Sequence, residues 1–141
     1  MFHDDEYWRS NPAKLRSMIY KKLEKMMDKD DHVLLIGYRL PEMTFGIEFT
    51  KPSYFLYTCF GGRVDFSNVK FSQPADFTMA NFMGDALFKK TVFGSRVFFS
   101  YASFHGVANF RMAQFTGKAD FSGVLFHKSA CFWAVKFASS V

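Results

Sequence analysis

The sequence predicts an all-β solenoid preceded by an α-helix, and three observations carry that prediction. All but three of the twenty phenylalanines (Phe2, Phe45 and Phe98) recur at spacings that alternate between five and six residues, from Phe49, Phe55, Phe60 and Phe66 onward to Phe137. Two residues before each rung stands a small or β-branched residue. It is Ala or Val in thirteen of seventeen cases, and otherwise Ile47, Ser53, Thr58 or Thr91. Ahead of this ladder, residues 12–29 place apolar side chains at helical spacing.

The ladder itself is not helical. A five-residue step on an α-helix lands roughly 140° from its start and the next step of six returns, so the rings would split onto two opposed stripes. The stretch also holds seven of the nine glycines, which are poor helix residues. As an extended segment the pattern works. The small residue and the Phe are two apart and share a side, the residue between them points outward, and the Ser, Thr, Gly, Asn or Lys that follow turn a corner. Each copy is one short side and one corner, and stacked copies form a solenoid.

The N-terminal helix is read from Ser10 or Asn11 as its cap and Pro12 in its first turn. Its apolar face is Leu15, Met18, Ile19, Leu23, Met26 and Met27, with Lys14, Lys21, Lys22, Lys25 and Lys29 around it. It is expected to fold back over part of the solenoid. Val33 to Ile36 is read as a strand that enters or caps the first coil, with Pro41 and the off-register Phe45 marking the join. The division expected is 1–44 for helix and capping strand, and 45–141 for the repeat.

Segments such as Ala75-Asp76-Phe77-Thr78-Met79-Ala80-Asn81-Phe82 and Ala119-Asp120-Phe121-Ser122-Gly123-Val124-Leu125-Phe126 resemble the pentapeptide-repeat family, in its Phe-rich branch with alternating five- and six-residue copies. The resemblance covers about 49–137 and implies a right-handed quadrilateral β-helix. With four sides per coil and 5/6 alternation, a coil is 22 residues, giving about four coils and a rod roughly 20 Å long at the strand spacing.

Charge is unevenly shared. The net charge is +5. Residues 1–48 carry eight Lys/Arg against nine Asp/Glu, whereas 49–141 carry ten against four. Family members that inhibit DNA topoisomerases resemble acidic duplex DNA, and a basic rod does not suit that role. No apolar run reaches membrane-spanning length, and the acidic start, Met1 to Glu6, lacks a signal-peptide pattern. The chain therefore reads as cytoplasmic. Cys59 and Cys131 both point outward and lie 72 residues apart, not a multiple of 22, so neither a disulfide nor a metal pair is expected.

The 22-residue coil also predicts which outward residues are neighbours. Tyr54, Tyr57, Met79, Phe98 and Tyr101 form an aromatic face that marks a contact surface, and the N-terminal helix is expected to dock there. Lys89, Lys90, Arg96, Arg111 and Lys118 form basic corners, read as solvated or as seats for phosphate, acidic protein or nucleic acid. His105 and His127 stack, but Gly61 and Met83 occupy the equivalent positions in other coils, so they read as exposed histidines and no metal is expected. No Gly-rich phosphate loop, nucleophile elbow or carboxylate cluster appears, so neither catalysis nor a cofactor is expected. The sequence runs in register to Val141. The expectations there are a partner coil stacking end to end, a longer parent chain, or a Val135–Val141 turn that protects itself. The resemblance implies dimerisation through that end, burying Phe132, Trp133 and Phe137. The leading functional reading is a non-enzymatic protein–protein interaction scaffold that self-associates. The alternatives are an anion- or nucleic-acid-binding module using the basic corners, or a regulatory domain of a larger protein.

Overall fold

In the computed structural model, which describes residues 11–138, sixteen of the seventeen small-x-Phe steps contribute a two-residue strand, Ile47 to Phe49 contributes a single bridge, and the remainders form corners. One helix, α1 (Pro12–Lys29), precedes nineteen two-residue strands, the first three of which stand before the ladder. The strands stack in parallel into four sheets that form the four sides of the solenoid. Side one contains Val33–Leu34, Ser53–Tyr54, Ala75–Asp76, Val97–Phe98 and Ala119–Asp120. Side two runs from Arg39–Leu40 to Leu125–Phe126, and side three from Met43–Thr44 to Ala130–Cys131. Side four runs from Lys70–Phe71 to Lys136–Phe137, extended by a bridge between Phe49 and Phe71. The predicted register holds: Ala75 pairs with Val97, Ala86 with Ala108 and Ser103 with Leu125, each one 22-residue coil on.

The rings form four columns inside the rod. Phe55, Phe77, Phe99 and Phe121 stack with centroids 4.8, 4.9 and 5.2 Å apart, and Phe60, Phe82, Phe104 and Phe126 at 4.7, 4.5 and 5.2 Å. Rings facing each other across the rod meet edge to face, as Phe99 on side one meets Phe110 on side three at 90°, while adjacent columns alternate between edge to face, as Phe93 with Phe99 at 84°, and tilted, as Phe99 with Phe104 at 44°. Stacking and edge-to-face contact both suit the aromatic quadrupole. The companion residue stays small because rings from adjacent sides fill the space beside it. Where it is Thr, its hydroxyl donates to a backbone carbonyl: Thr58 to Leu35 (2.7 Å) and Thr91 to Phe66 (2.7 Å).

The five-six alternation has a backbone cause. Five-residue copies close with a tight turn in which the residue three after the ring donates back to it, as Ala80 N–H does to the Phe77 carbonyl (3.0 Å). The residue two after the ring then takes positive φ, at Tyr57, Asn68, Met79, Lys90, Tyr101, Met112, Gly123 and Ala134, as a type II turn requires. Six-residue copies use a wider corner, and there glycine has a steric role. A Cβ on Gly106 would lie 2.5 Å from the carbonyl carbon and oxygen of Gly84 one coil earlier.

The structure departs from the sequence reading in three respects. There are about five coils, not four, because Val33–Leu34, Arg39–Leu40, Met43–Thr44 and Phe49 pair as a complete first coil. Phe45 belongs to the core, 1% exposed and stacked on Phe66 at 4.6 Å. Leu35 and Leu40 take the other inward positions, while Ile47, read as a companion residue, is exposed. This coil is 20 to 22 residues long by its pairings, Val33 with Ser53 and Phe49 with Phe71, so the regular ladder enters it only at Phe49. Finally, α1 does not dock on the aromatic face. It closes the N-terminal end of the core, burying Leu15, Ile19, Leu23 and Met26. There the Tyr20 hydroxyl donates to the Thr44 carbonyl (2.5 Å), and its ring meets Phe45 edge-on at 6.3 Å. Covering the open end removes more apolar surface from water than covering a side already sealed by its own coil. Met18 is left exposed and Met27 is half-buried. Asn11 occupies the N-cap position. Ser10, the acidic start and the last three residues lie outside the described residues. No helix among the described residues is long and apolar enough to cross a membrane.

Two outcomes follow from this packing. Phe104→Ala, which removes a ring between Phe82 and Phe126, is expected to cost about 3–5 kcal/mol. An unchanged denaturation midpoint would exclude the stacked core. Gly106→Ala is expected to cost about 1–3 kcal/mol, because the added methyl meets backbone that cannot rotate away. Equal midpoints for wild type and variant would show that the coils can separate to admit it.

Candidate functional site

The core is occupied by rings, so any site must lie on the corners, the outward face of the sides, or an end. Four outward polar residues are already engaged in the turns. Each stands directly before a ring and accepts from the residue directly after it. Asp65 accepts the Ser67 N–H (2.8 Å), Asp76 the Thr78 N–H (2.9 Å), Asn109 the Arg111 N–H (3.0 Å) and Asp120 the Ser122 N–H (2.8 Å). Thr78 and Ser122 also donate their hydroxyls to the same oxygens, both at 2.5 Å. These are Asx turns, in which a side chain substitutes for a backbone acceptor. At Asp120 the Ser122 hydroxyl, then the Ser122 amide, hold the carboxyl below its usual range against the opposing effect of burial, and the Ser100 hydroxyl adds the smallest contribution.

The aromatic residues gather on side one and at the tight corner after it. Tyr54 and Phe98 are half-buried on the side, with Tyr54 beside His32 at 5.7 Å. Tyr57, Met79 and Tyr101 run along the corner as an exposed stripe, 59, 43 and 65% accessible. A Cβ on Gly123 would lie 2.5 Å from the Tyr101 ring, so this ring lies flat over the next coil.

The basic residues divide. Lys89, Lys90 and Arg111 open onto a cavity of about 490 Å³ beside side three. Arg96 and Lys118 sit at the wide corner after side four and do not line it. Arg63 lines the same cavity from its other wall and was missed from sequence, although the 22-residue coil places it just before side three. Its ion pair with Asp65 is long, at 3.7 Å.

His105 and His127 stack at 4.4 Å with planes 6° apart, as the coil spacing predicts. No group of three or more metal-ligating side chains occurs among the described residues. Cys59 and Cys131 are free and lie on different sides.

The C-terminal end contrasts with the N-terminal one. Phe126, Phe132 and Phe137 each stack on the preceding coil through one face, yet are 37, 39 and 58% exposed, and Leu125 and Trp133 beside them are 58 and 60% exposed. The described residues thus leave an apolar layer and the outer edges of four parallel strands uncovered.

A family model described as pentapeptide repeats (9 copies) matches residues 55–103 and 88–136. No curated protein and no solved structure matches the chain.

The Asx turns predict a pH dependence. A carboxylate whose pKa is lowered by folding stabilises the fold above the unfolded-state pKa, and that contribution is lost as pH falls through the lowered value. Asp120 is therefore expected to titrate below the ordinary carboxylate range by NMR, and Ser122→Ala to move it back up. An identical titration in both proteins would rule out the hydroxyl as the cause.

Proposed function

As the chain belongs to the pentapeptide-repeat family, we propose that it is a non-catalytic protein–protein interaction scaffold, and that the partner at its C-terminal end is a second copy of itself. The observation that carries this reading is the difference between the two ends. The first ring layer is closed by α1, whereas the last exposes Phe126, Phe132 and Phe137 with Trp133 at their margin. Apolar surface of this kind, bordered by unpaired strand edges, is a surface that associates. With the N-terminal end covered, head-to-tail stacking is blocked, and a closed two-fold pairing of C-terminal ends remains. The stripe of Tyr57, Met79 and Tyr101 stays free in such a dimer and offers a second surface to another protein. The scaffold reading is supported further by the Asp65, Asp76 and Asp120 carboxylates, which are committed to turns.

Light scattering across a concentration series is expected to give a dimer. Leu125→Glu with Trp133→Glu places charge at the end without removing a stacked ring, and is expected to give a folded monomer. Tyr101→Ala is expected to remain dimeric. A wild-type protein that stays monomeric at high concentration overturns the self-association.

A further inference from the structure

The cavity beside side three combines features that the scaffold reading does not use. Four cationic side chains line it: Lys89, Lys90 and Arg111 along one wall and Arg63 on the other. The only carboxylate in the lining is Asp65, whose Oδ1 accepts the Ser67 N–H and whose Oδ2 lies 3.7 Å from Arg63. The local balance is thus three positive charges in excess. Ser67 and Asn68 add neutral hydrogen-bonding groups at the same level.

We propose that this cavity binds a small ligand of the diphosphate class. The charge excess matches a ligand carrying two to four negative charges, and guanidinium and ammonium groups together match phosphate oxygens in geometry and charge. Arg111 is positioned in advance. Its guanidinium carbon sits 4.6 Å from the Trp133 ring centroid, a cation–π contact that orders the side chain while leaving its charge intact. The backbone beneath is fixed as well. Lys90 N–H donates to the Arg111 carbonyl (2.9 Å), and Asn68 N–H to the Lys89 carbonyl (2.9 Å). Neighbouring cations are thereby held one coil apart, so that less ordering is needed on binding.

Size and distribution favour a small ligand over a polymer. A volume of about 490 Å³ falls in the range of small-molecule sites. In the column that follows the rings of side three, Ser67, Lys89, Arg111 and Trp133 succeed one another, so its cations occupy two adjacent levels, with Arg63 one level before them, and not the length of the rod. A nucleic acid strand would need a continuous basic track. The site lies on the wall of the solenoid and shares only Trp133 with the end, and none of the substitutions that test it falls on the end layer.

Calorimetric titration with pyrophosphate, at low salt where screening is weak, is expected to show saturable one-site binding, tighter than that of orthophosphate. Lys89→Ala with Lys90→Ala is expected to weaken it about tenfold or more, and Arg63→Gln to weaken it as well. Arg96→Ala with Lys118→Ala removes the same charge outside the cavity and is expected to leave affinity within about twofold, since exposed charges at a distance are screened. Three results would each overturn the proposal. One is no binding of pyrophosphate at millimolar concentration. A second is equal loss from the Lys89/Lys90 and Arg96/Lys118 pairs. The third is affinity for a single-stranded oligonucleotide that grows with its length and resists competition by pyrophosphate. All of these side chains are on the surface, so an unchanged melting temperature verifies that the variants are folded.

Discussion

Ring-on-ring stacking at the pitch of a parallel sheet is the interaction on which the rest of this structure depends. Parallel strands sit about 4.8 Å apart, and the rings of one column repeat at 4.5 to 5.3 Å. The two repeats match only if equivalent residues lie above one another in every coil. That condition fixes the coil at 22 residues and makes the register intolerant of a slip, because a shift by one residue would turn every ring outward. Stacking also explains why the core needs no other large residue. Each ring contacts its own column face to face and the other columns at tilted or edge-to-face angles, which fills the square section while the companion positions stay small.

What the sequence revealed and what it hid both follow from this. The four columns, the outward neighbours and the His105–His127 pair were legible because stacking imposes one period. The first coil was not, because its inward positions are filled by Leu35, Leu40, Phe45 and Phe49 at shortened spacing. Leucine buries as well as phenylalanine in a layer that meets a helix on one face, and the end coil has no preceding coil to match. The aromatic periodicity lapses there although the pairing continues. The helix was legible as a helix, but its seat was not. Its apolar face indicated that something would be covered, and the exposed Tyr57, Met79 and Tyr101 offered a target that the bare core end outcompeted.

The tight corners show a similar override. Tyr57, Met79, Lys90, Tyr101 and Met112 hold positive φ, a conformation costing a non-glycine residue roughly 1–2 kcal/mol. Only Asn68 and Gly123 among these positions carry a conventional signal for it. The ladder hydrogen bonds on both sides of each turn, together with the stacked ring before it, fix the chain there whatever residue is present. Outward residues at these corners are therefore freed from conformational selection, and the same position can carry Tyr, Met, Lys or Asn in successive coils. That freedom is how a strictly repetitive core supports a surface that does not repeat, with an aromatic stripe after side one and a basic cavity beside side three.

The two ends complete the argument. A solenoid has no internal reason to stop, since each coil creates the edge on which the next would stack. At the N-terminal end the coil shortens, leucine replaces phenylalanine, and α1 lays Leu15, Ile19, Leu23 and Met26 over the layer. At the C-terminal end the last described coil retains full length and its complement of rings, with Phe137 still stacked at 5.0 Å on Phe115. Among the described residues, the rod therefore differs at its two ends, one layer covered by α1 and the other with its rings and strand edges uncovered. A layer covered by α1 does not offer a second copy the stacking surface that the C-terminal layer does. A partner for the Phe126, Phe132 and Phe137 layer would bring its own apolar surface and its own strand edges, which is what the proposed pairing of two such ends provides.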